Sequence, residues 1–208
     1  NPWLISNKDD LLNYLGSDNA NAYSGMYFAL DSDIDFAGEW DTKYQEKPFV
    51  GNLLGNGHTI KGLKLSKGST SKFYYGLFGQ TNNSSFSNLN LEMSIDLSLT
   101  GKAKDYVVGG LVGLALNTTF RNVSVSYSQF DVELSTNGGS SAYVGGVAGY
   151  WTTEKSPVQN SIYYYDISAC EVKGDIRVDA RESDDTSVMS GGILGAQYGS
   201  YFDPTGIQ

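Results

Sequence analysis

The sequence predicts an all-β chain in which successive passes of the backbone stack as a parallel β-helix, also called a β-solenoid. Three observations predict this fold. A glycine-rich phrase recurs along the chain, an asparagine phrase follows it at a nearly constant distance, and alternating apolar residues follow the asparagine. A unit that recurs in a fixed order is typical of one structural module stacked on itself.

The glycine-rich phrase is nearly identical where it begins at Gly109, Gly145 and Gly191, and a shorter copy begins at Gly76. Counted between positions 76, 110, 146 and 192, the copies lie 34, 36 and 46 residues apart. The core of the module is therefore constant, while the connection between modules varies in length. The glycines assigned to the repeat are Gly76, Gly79, Gly110, Gly113, Gly146, Gly149, Gly192 and Gly195.

The asparagine phrase places Asn88 and Asn122 nine residues after a glycine phrase, and Asn160 eleven residues after one. From Leu89 to Leu97, apolar residues alternate with polar ones, which is the period of a half-buried strand. In a stack the three asparagines would align. We expect them to form a buried ladder whose amides hydrogen-bond along the stack.

The spacing of the repeats favours parallel stacking over a β-sandwich. A sandwich shows a turn about every 8–12 residues, and these repeats are three to four times farther apart. In a parallel stack Leu111 would lie over Val147, and Val147 over Ile193. A β-propeller is the alternative, and it is less favoured because each repeat holds too few strands for a blade.

The first residues predict a short helix over residues 6–16. Ser6 can cap its first turn, Asp9 stands at the reciprocal capping position, and Gly16 can end it. Its apolar face would consist of Leu11, Leu12 and Leu15. Strands are expected next, over residues 26–30 and 34–36.

Two regions follow from these patterns. Residues 1–48 are expected to cap the first edge of the stack, and residues 49–208 to form the repeats. The last module stops before its asparagine phrase, so we expect a C-terminal truncation within a longer repeat array. Open ends of such a stack would allow self-association through their strand edges.

Charge and composition exclude several classes of protein. The net charge is −9 and the pI is about 4.5, and lysine and arginine form no cluster. Binding to nucleic acid or to anionic membranes is therefore disfavoured, and no apolar run is long enough to span a bilayer. With a single cysteine, Cys170, and a single histidine, His58, the chain has neither an internal disulfide nor a multi-cysteine or two-histidine zinc site.

The repeats resemble those of a known family. The phrases at residues 109–113 and 76–79 are similar to the GLUG repeat of bacterial surface proteins, and residues 30–36 followed by residues 55–60 look like the segment that usually precedes it. The resemblance extends over residues 3–208. The chain departs from the family pattern by lacking the cysteine that often follows the asparagine.

The resemblance implies a right-handed parallel β-helix in an exported protein. Proteins with this repeat include adhesins, filamentous-haemagglutinin-like proteins and the non-catalytic parts of Gram-positive immunoglobulin A proteases. It brings no catalytic residues, so the expectation is a chain that is not an enzyme, located outside the cell or on its surface.

Three alternating carboxylates, Asp31, Asp33 and Asp35, suggest a metal site. Carboxylates that share one face of a strand are typical calcium ligands. The glycine and distal glutamate of a calcium-binding loop are missing, and capping of strand ends is the competing interpretation. No other cofactor is expected.

An enzymatic alternative rests on Lys173, Asp175, Arg177 and Asp179, which alternate along one expected strand. Parallel β-helix lyases and hydrolases that act on polysaccharides use clustered acids beside a basic residue. A charged, solvent-facing strand surface gives the same pattern and is the favoured interpretation.

Aromatic residues suggest binding instead. Tyrosine and tryptophan on a surface can stack on sugar rings or anchor a protein partner. The candidates are Tyr74, Trp151, Tyr164 and Tyr201.

The sequence thus predicts a non-catalytic extracellular scaffold or adhesin that binds a surface glycan or a partner protein. A carbohydrate-active β-helix enzyme and a lateral subunit of a filament or surface layer are the alternatives.

Overall fold

The computed structural model describes residues 1–17, 23–69, 72–100, 105–135, 140–153, 165–181 and 187–199. Within these ranges the chain forms one α-helix and eighteen β-strands, arranged in three sheets. Every strand pair recorded there is parallel. The all-β class and the parallel pairing are confirmed, and the propeller alternative is wrong because its blades are antiparallel.

Sheet A contains β1 (Trp3–Ile5), β2 (Tyr27–Leu30), β3 (Ile34–Glu39), β4 (Asn52–Leu54), β5 (Thr59–Leu65), β8 (Ser85–Thr100), β11 (Thr119–Ser135), β14 (Ile167–Ser168), β15 (Glu171–Lys173) and β16 (Arg177–Arg181). Sheet B contains β7 (Phe78–Asn82), β10 (Val112–Leu116), β13 (Ala148–Thr153) and β18 (Leu194–Gly199). Sheet C contains β6 (Tyr74–Tyr75), β9 (Tyr106–Gly109), β12 (Ser141–Gly145) and β17 (Ser187–Gly191).

The chain visits the sheets in a repeating order. From β8 in sheet A it enters sheet C as β9 and sheet B as β10, and it returns to sheet A as β11. The next pass uses β12 and β13 in the same way. Each of these passes therefore adds to all three sheets, and neighbouring strands in a sheet come from successive passes. In the last described pass, three short strands, β14, β15 and β16, pair with the single long strand β11.

Equivalent apolar residues of successive passes lie over one another, as predicted. The Leu111 N–H donates to the Val147 carbonyl (3.0 Å), and the Val147 N–H donates to the Ile193 carbonyl (2.9 Å). Leu111 and Val147 are fully buried, and Ile193 in the last described pass is half-buried. The apolar column is thus continuous through three passes.

An aromatic column fills the space between sheets A and B. The rings of Phe86 and Phe120 stack with centroids 5.7 Å apart and planes 17° from parallel. Phe78 lies 5.2 Å from Phe86 and 4.6 Å from Phe49. These rings are fully buried, and burial of large aromatic side chains is a dominant source of stability in a core.

The repeated glycines form the turn between sheet C and sheet B, where backbones from successive passes approach closely. A Cβ placed on Gly146 would lie 2.2 Å from the Gly192 carbonyl oxygen of the next pass. A Cβ on Gly110 would lie 1.9 Å from the hydroxyl of Tyr127, a buried side chain of sheet A that donates to the Gly146 carbonyl. On Gly192 itself, a Cβ would meet nothing within 4 Å.

The asparagine ladder exists, but it is exposed rather than buried as predicted. The Asn122 side-chain amide donates to the Asn88 side-chain oxygen (2.8 Å). Both residues are exposed and have positive φ angles, 51° for Asn88 and 53° for Asn122. Asparagine tolerates this left-handed conformation, so the residue serves to bend the strand at the surface.

The third position of the ladder belongs to Ala169. Asn160 lies outside the described residues, while the pairing of Arg121 with Ser168 and of Ser124 with Glu171 places Ala169 beside Asn122. Ala169 has a φ angle of 51°. An alanine there carries the strain that asparagine avoids, about 1–2 kcal/mol for the left-handed conformation.

Replacing Ala169 with asparagine should stabilise the protein. The substitution A169N removes part of the strain and allows the new amide to extend the ladder to Asn122, so we expect the free energy of unfolding to rise by about 0.5–1 kcal/mol. Urea denaturation measures this change. The control A180N alters an exposed alanine of β16 whose φ angle is not positive, and it should give no gain. A destabilised A169N variant would contradict the assignment.

The N-terminal helix α1 (Lys8–Leu15) is shorter than predicted and is capped differently. Asn7, rather than Ser6, is the N-cap and accepts from the Asp10 N–H, and the reciprocal carboxylate is Asp10 rather than Asp9. Leu11 and Leu15 are buried, whereas Leu12 is 39% exposed and faces solvent. Among the described residues, no helix is both long enough and apolar enough to cross a membrane.

Strands on both sides of residue 48 belong to one sheet. In sheet A, β1 pairs with β2, β2 with β4, and β4 with the long strand β8. The predicted cap and the predicted repeats are therefore joined by continuous parallel pairing. The helix α1 contacts β1 and β3 at this end of the sheet.

Candidate functional site

Three tyrosines form a cluster on the surface where sheets B and C meet. We call Tyr143, Tyr150 and Tyr198 the tyrosine patch. The rings of Tyr143 and Tyr150 meet edge to face, with centroids 5.1 Å apart and planes at 84°, which is a preferred geometry for aromatic pairs. Both rings are half-buried, and Tyr198 is 63% exposed.

The repeat architecture positions these three side chains. Tyr143 lies in β12 and Tyr150 in β13, on either side of the turn that begins with Gly145 and Gly146. The next pass pairs β18 with β13 and sets Tyr198 beside Thr152. Residues 48 positions apart in sequence, counted from 150 to 198, are thereby brought together.

Burial and the proximity of the other two phenols raise the pKa of the Tyr150 hydroxyl. Partial burial raises the pKa of Tyr150, and the neighbouring phenols of Tyr143 and Tyr198 raise it further. The hydroxyl of Tyr150 is therefore held neutral well into the alkaline range. A neutral phenol offers an apolar ring together with a hydroxyl that can donate or accept a hydrogen bond.

Two of the predicted aromatic binding residues are described, and they lie in different environments. Tyr74 is half-buried in β6, and its backbone N–H donates to the side chain of Gln45 (3.3 Å). In sheet C it belongs to the same column as Tyr143, with Val107 between them. Tyr74 is thus two passes from the tyrosine patch.

The prediction for Trp151 is wrong. Trp151 is only 6% exposed, and its indole Nε1 donates to the carbonyl of Thr118 (2.7 Å). Its side chain shares a face of sheet B with buried Ala115 and Thr81, and this face points into the core. A buried indole cannot stack on a ligand. Tyr164 and Tyr201 lie outside the described residues.

Sequence reasoning missed Tyr143 and Tyr150. A usable signal was present, because these residues flank the same glycine phrase, two positions before Gly145 and one position after Gly149. The equivalent positions of the preceding pass hold Val107 and Leu114.

The three carboxylates proposed for calcium each have a different partner. Asp31 accepts from the Ser6 hydroxyl (3.0 Å), and Asp35 pairs with Lys61 (3.6 Å). Asp33 accepts from the Thr59 N–H (2.9 Å) and lies 3.2 Å from the His58 Nδ1. The Thr59 N–H, followed by His58, lowers the pKa of Asp33.

These contacts match the strand-capping interpretation of the carboxylates. In the part of the chain that the structure describes, no group of three or more histidine, cysteine, aspartate or glutamate side chains is arranged to hold a metal ion. His58 stands in the turn between β4 and β5.

The residues proposed for polysaccharide cleavage do not lie on one strand. The expected strand is interrupted between Lys173, at the end of β15, and Arg177, at the start of β16. Lys173 pairs with Glu171 (2.9 Å), and Arg177 lies 4.0 Å from Asp179. These contacts are those of a charged surface with alternating signs, which matches the favoured interpretation.

Comparisons with known proteins give little further information. No family model matches the chain, and no curated protein matches it. A solved structure from Bacteroides ovatus, described as a putative immunoglobulin A1 protease, is 16% identical, and the match covers 95% of this chain and 84% of that chain with a TM-score of 0.29. A TM-score this low does not establish a shared fold.

Proposed function

We propose that this chain is a right-handed parallel β-helix that acts as a non-catalytic extracellular scaffold, or adhesin, and binds a surface glycan through the tyrosine patch. The parallel sheets and the in-register columns support the stacked architecture. The right-handed sense is supported by the general rule that crossover connections between parallel strands of one sheet are right-handed in about 98% of cases.

The observation that carries the binding role is the convergence of three phenols on one exposed surface. Tyr143 and Tyr150 are held in mutual contact by a tight glycine turn, so little conformational entropy is lost when a ligand packs on them. Tyr198 presents most of its ring to solvent. Rigid aromatic side chains of this kind are typical anchors in binding sites.

Location outside the cell and the absence of catalysis belong to the same proposal. The resemblance to GLUG repeats supports them, as does an acidic chain with a single cysteine. Calcium is not required by the proposed binding mode.

Removing one ring from the tyrosine patch should abolish most of the affinity for the glycan. We expect Y198A and Y143A each to weaken glycan binding at least about tenfold, because loss of an aromatic anchor costs about 1.4 kcal/mol or more. A glycan array identifies the bound oligosaccharides, and calorimetry with the strongest of them gives the affinities.

The matched control is Y27A, which removes an exposed tyrosine, 53% accessible, from β2 in sheet A. It should bind like the unaltered protein. An array without any bound glycan, or equal affinities for Y198A and Y27A, would refute the proposal.

A further inference from the structure

Charged residues are absent from two of the three sheets. None of the eight strands of sheets B and C contains an aspartate, glutamate, lysine or arginine. In sheet A, by contrast, β8 carries Glu92 and Asp96, and β11 carries Arg121, Asp131 and Glu133. This segregation leaves a neutral surface on sheets B and C beside a charged surface of mixed sign on sheet A.

Sheet B presents this neutral surface as two columns of solvent-accessible side chains, which we call the neutral wall. Pairing in register aligns them across four strands. The first column is Gln80, Leu114, Tyr150 and Ala196, and the second is Asn82, Leu116, Thr152 and Tyr198. All eight are half-buried or exposed, while the column between them, represented by Thr81, Ala115 and Trp151, is buried.

The neutral wall contains two members of the tyrosine patch, Tyr150 and Tyr198. From the patch it continues over Leu114 and Gln80 toward the N-terminal end of the stack. In the part of the chain that the structure describes, charged residues border the wall in the segment around Lys43, whose backbone pairs with Phe78 of β7. A ligand anchored on the tyrosines can therefore extend along four strands that carry no charged side chain.

The size of the wall decides between two kinds of partner. Four strands about 4.8 Å apart, each about five residues long at 3.3 Å per residue, give a face of roughly 14 by 17 Å, on the order of 250 Å². A stable protein–protein interface needs about 800 Å² from each partner. The face is too small to hold a second copy of the chain, but it suits a narrow linear polymer.

The chemical groups on the neutral wall indicate that the polymer is neutral. Ring faces and leucines provide apolar contacts, and the hydroxyl groups of Thr152 and Tyr198 can exchange hydrogen bonds with neutral hydroxyl groups. No ammonium or guanidinium group stands on the wall to pair with a carboxylate or sulfate, so an acidic sugar would lose hydration without compensation.

We infer that the ligand of the tyrosine patch is a neutral, linear oligosaccharide that lies along the stack over the neutral wall. This inference rests on the proposed function and adds the charge, shape and direction of the ligand. Affinity should increase with the length of the oligosaccharide until it spans the four strands. It should also be insensitive to salt, because no ion pair contributes.

The test compares neutral oligosaccharides of increasing length with acidic ones, by calorimetry at low and high salt. The variant T152D places a carboxylate on the wall between Leu116 and Tyr198 and should weaken binding at least about tenfold. The control S126D places the same group on β11 in sheet A and should leave the affinity unchanged. Circular dichroism establishes that both variants fold, and L116N replaces T152D if the latter does not.

The outcomes separate this inference from the function on which it rests. Binding of neutral oligosaccharides that T152D weakens and salt does not would support it. Binding restricted to acidic oligosaccharides, or lost at high salt, would overturn it and leave glycan binding intact. If no glycan binds, the proposed function fails as well. If light scattering shows a dimer that T152D dissociates, the wall is a self-association surface and the inference is wrong.

Discussion

Substitution of Gly146 by alanine should unfold the stack or destabilise it by about 3 kcal/mol or more. The added Cβ would lie 2.2 Å from the Gly192 carbonyl oxygen and 2.6 Å from a methyl group of Val172. The first contact is with backbone of the next pass, which can move only if two passes separate. Overpacking of this kind costs about 1–3 kcal/mol where side chains can adjust. Here the clash is with a backbone atom, which cannot adjust in this way, so the loss of stability should be at the upper end of this range or above it.

Gly192 provides a control at the same position of the repeat. Nothing lies within 4 Å of a Cβ added there, and its φ angle is not in the left-handed region. G192A should therefore be neutral or stabilise by up to about 0.5 kcal/mol, because alanine reduces the conformational entropy of the unfolded chain. Urea denaturation compares the two variants. Equal stabilities of G146A and G192A would show that the passes are not stacked as described.

Truncation of Phe86 should cost about 3–5 kcal/mol. Phe86 is fully buried and contacts rings on both sides of the column, Phe78 at 5.2 Å and Phe120 at 5.7 Å. The substitution F86A removes a large buried side chain and leaves a cavity between two sheets. Total stabilities of natural domains are about 5–15 kcal/mol, so the variant should lie near the limit of folding. Thermal denaturation followed by circular dichroism measures the loss.

Two further variants make the test specific. F86L retains most of the volume and should lose much less stability than F86A. Y27A removes an aromatic ring from a strand of the same sheet where it is 53% exposed, and it should change stability by less than about 0.5 kcal/mol. If F86A and Y27A behaved alike, the aromatic column would not be the core of this fold.

The repeat pattern predicted the parallel stacking because the glycine phrase leaves few structural alternatives. A Cβ at Gly110 or Gly146 would meet atoms of a neighbouring pass or sheet, so the turn requires glycine at these positions and the phrase is visible in the sequence. The inward positions of Leu111 and Val147 follow directly from their place within it. The repeat pattern does not predict the handedness of the stack, since a left-handed and a right-handed stack would give the same residue pattern along the chain.

The wrong predictions for Trp151 and for the third ladder position have local physical causes. Trp151 was predicted to lie on the surface. Successive side chains point to opposite faces of a strand, so Tyr150 faces solvent while the next residue, Trp151, faces the core. Asn160 was chosen for the ladder because its spacing resembled that of Asn122. The connection before β14 is longer than in earlier passes, and the ladder position falls on Ala169, a residue type that does not signal a left-handed backbone.

The tyrosine patch could be predicted only after the register was known. Tyr143 and Tyr150 meet because the glycine turn is tight, which the sequence indicates. Tyr198 joins them because β18 pairs with β13 after a connection 10 residues longer than the one before, as the spacings of 46 and 36 show. Because the connections differ in length, residues that become neighbours in the stack are not separated by a constant number of positions in the sequence.

Parallel pairing between successive passes has a consequence for how this chain reaches its native state. Leu111 and Val147 are 36 residues apart in sequence, and Phe86 and Phe120 are 34 apart, so no contact between passes can form without closing a long loop. High contact order of this kind is associated with slow folding. Once two passes have assembled, the exposed edge of each sheet offers a template for the next, and folding should advance along the axis one pass at a time.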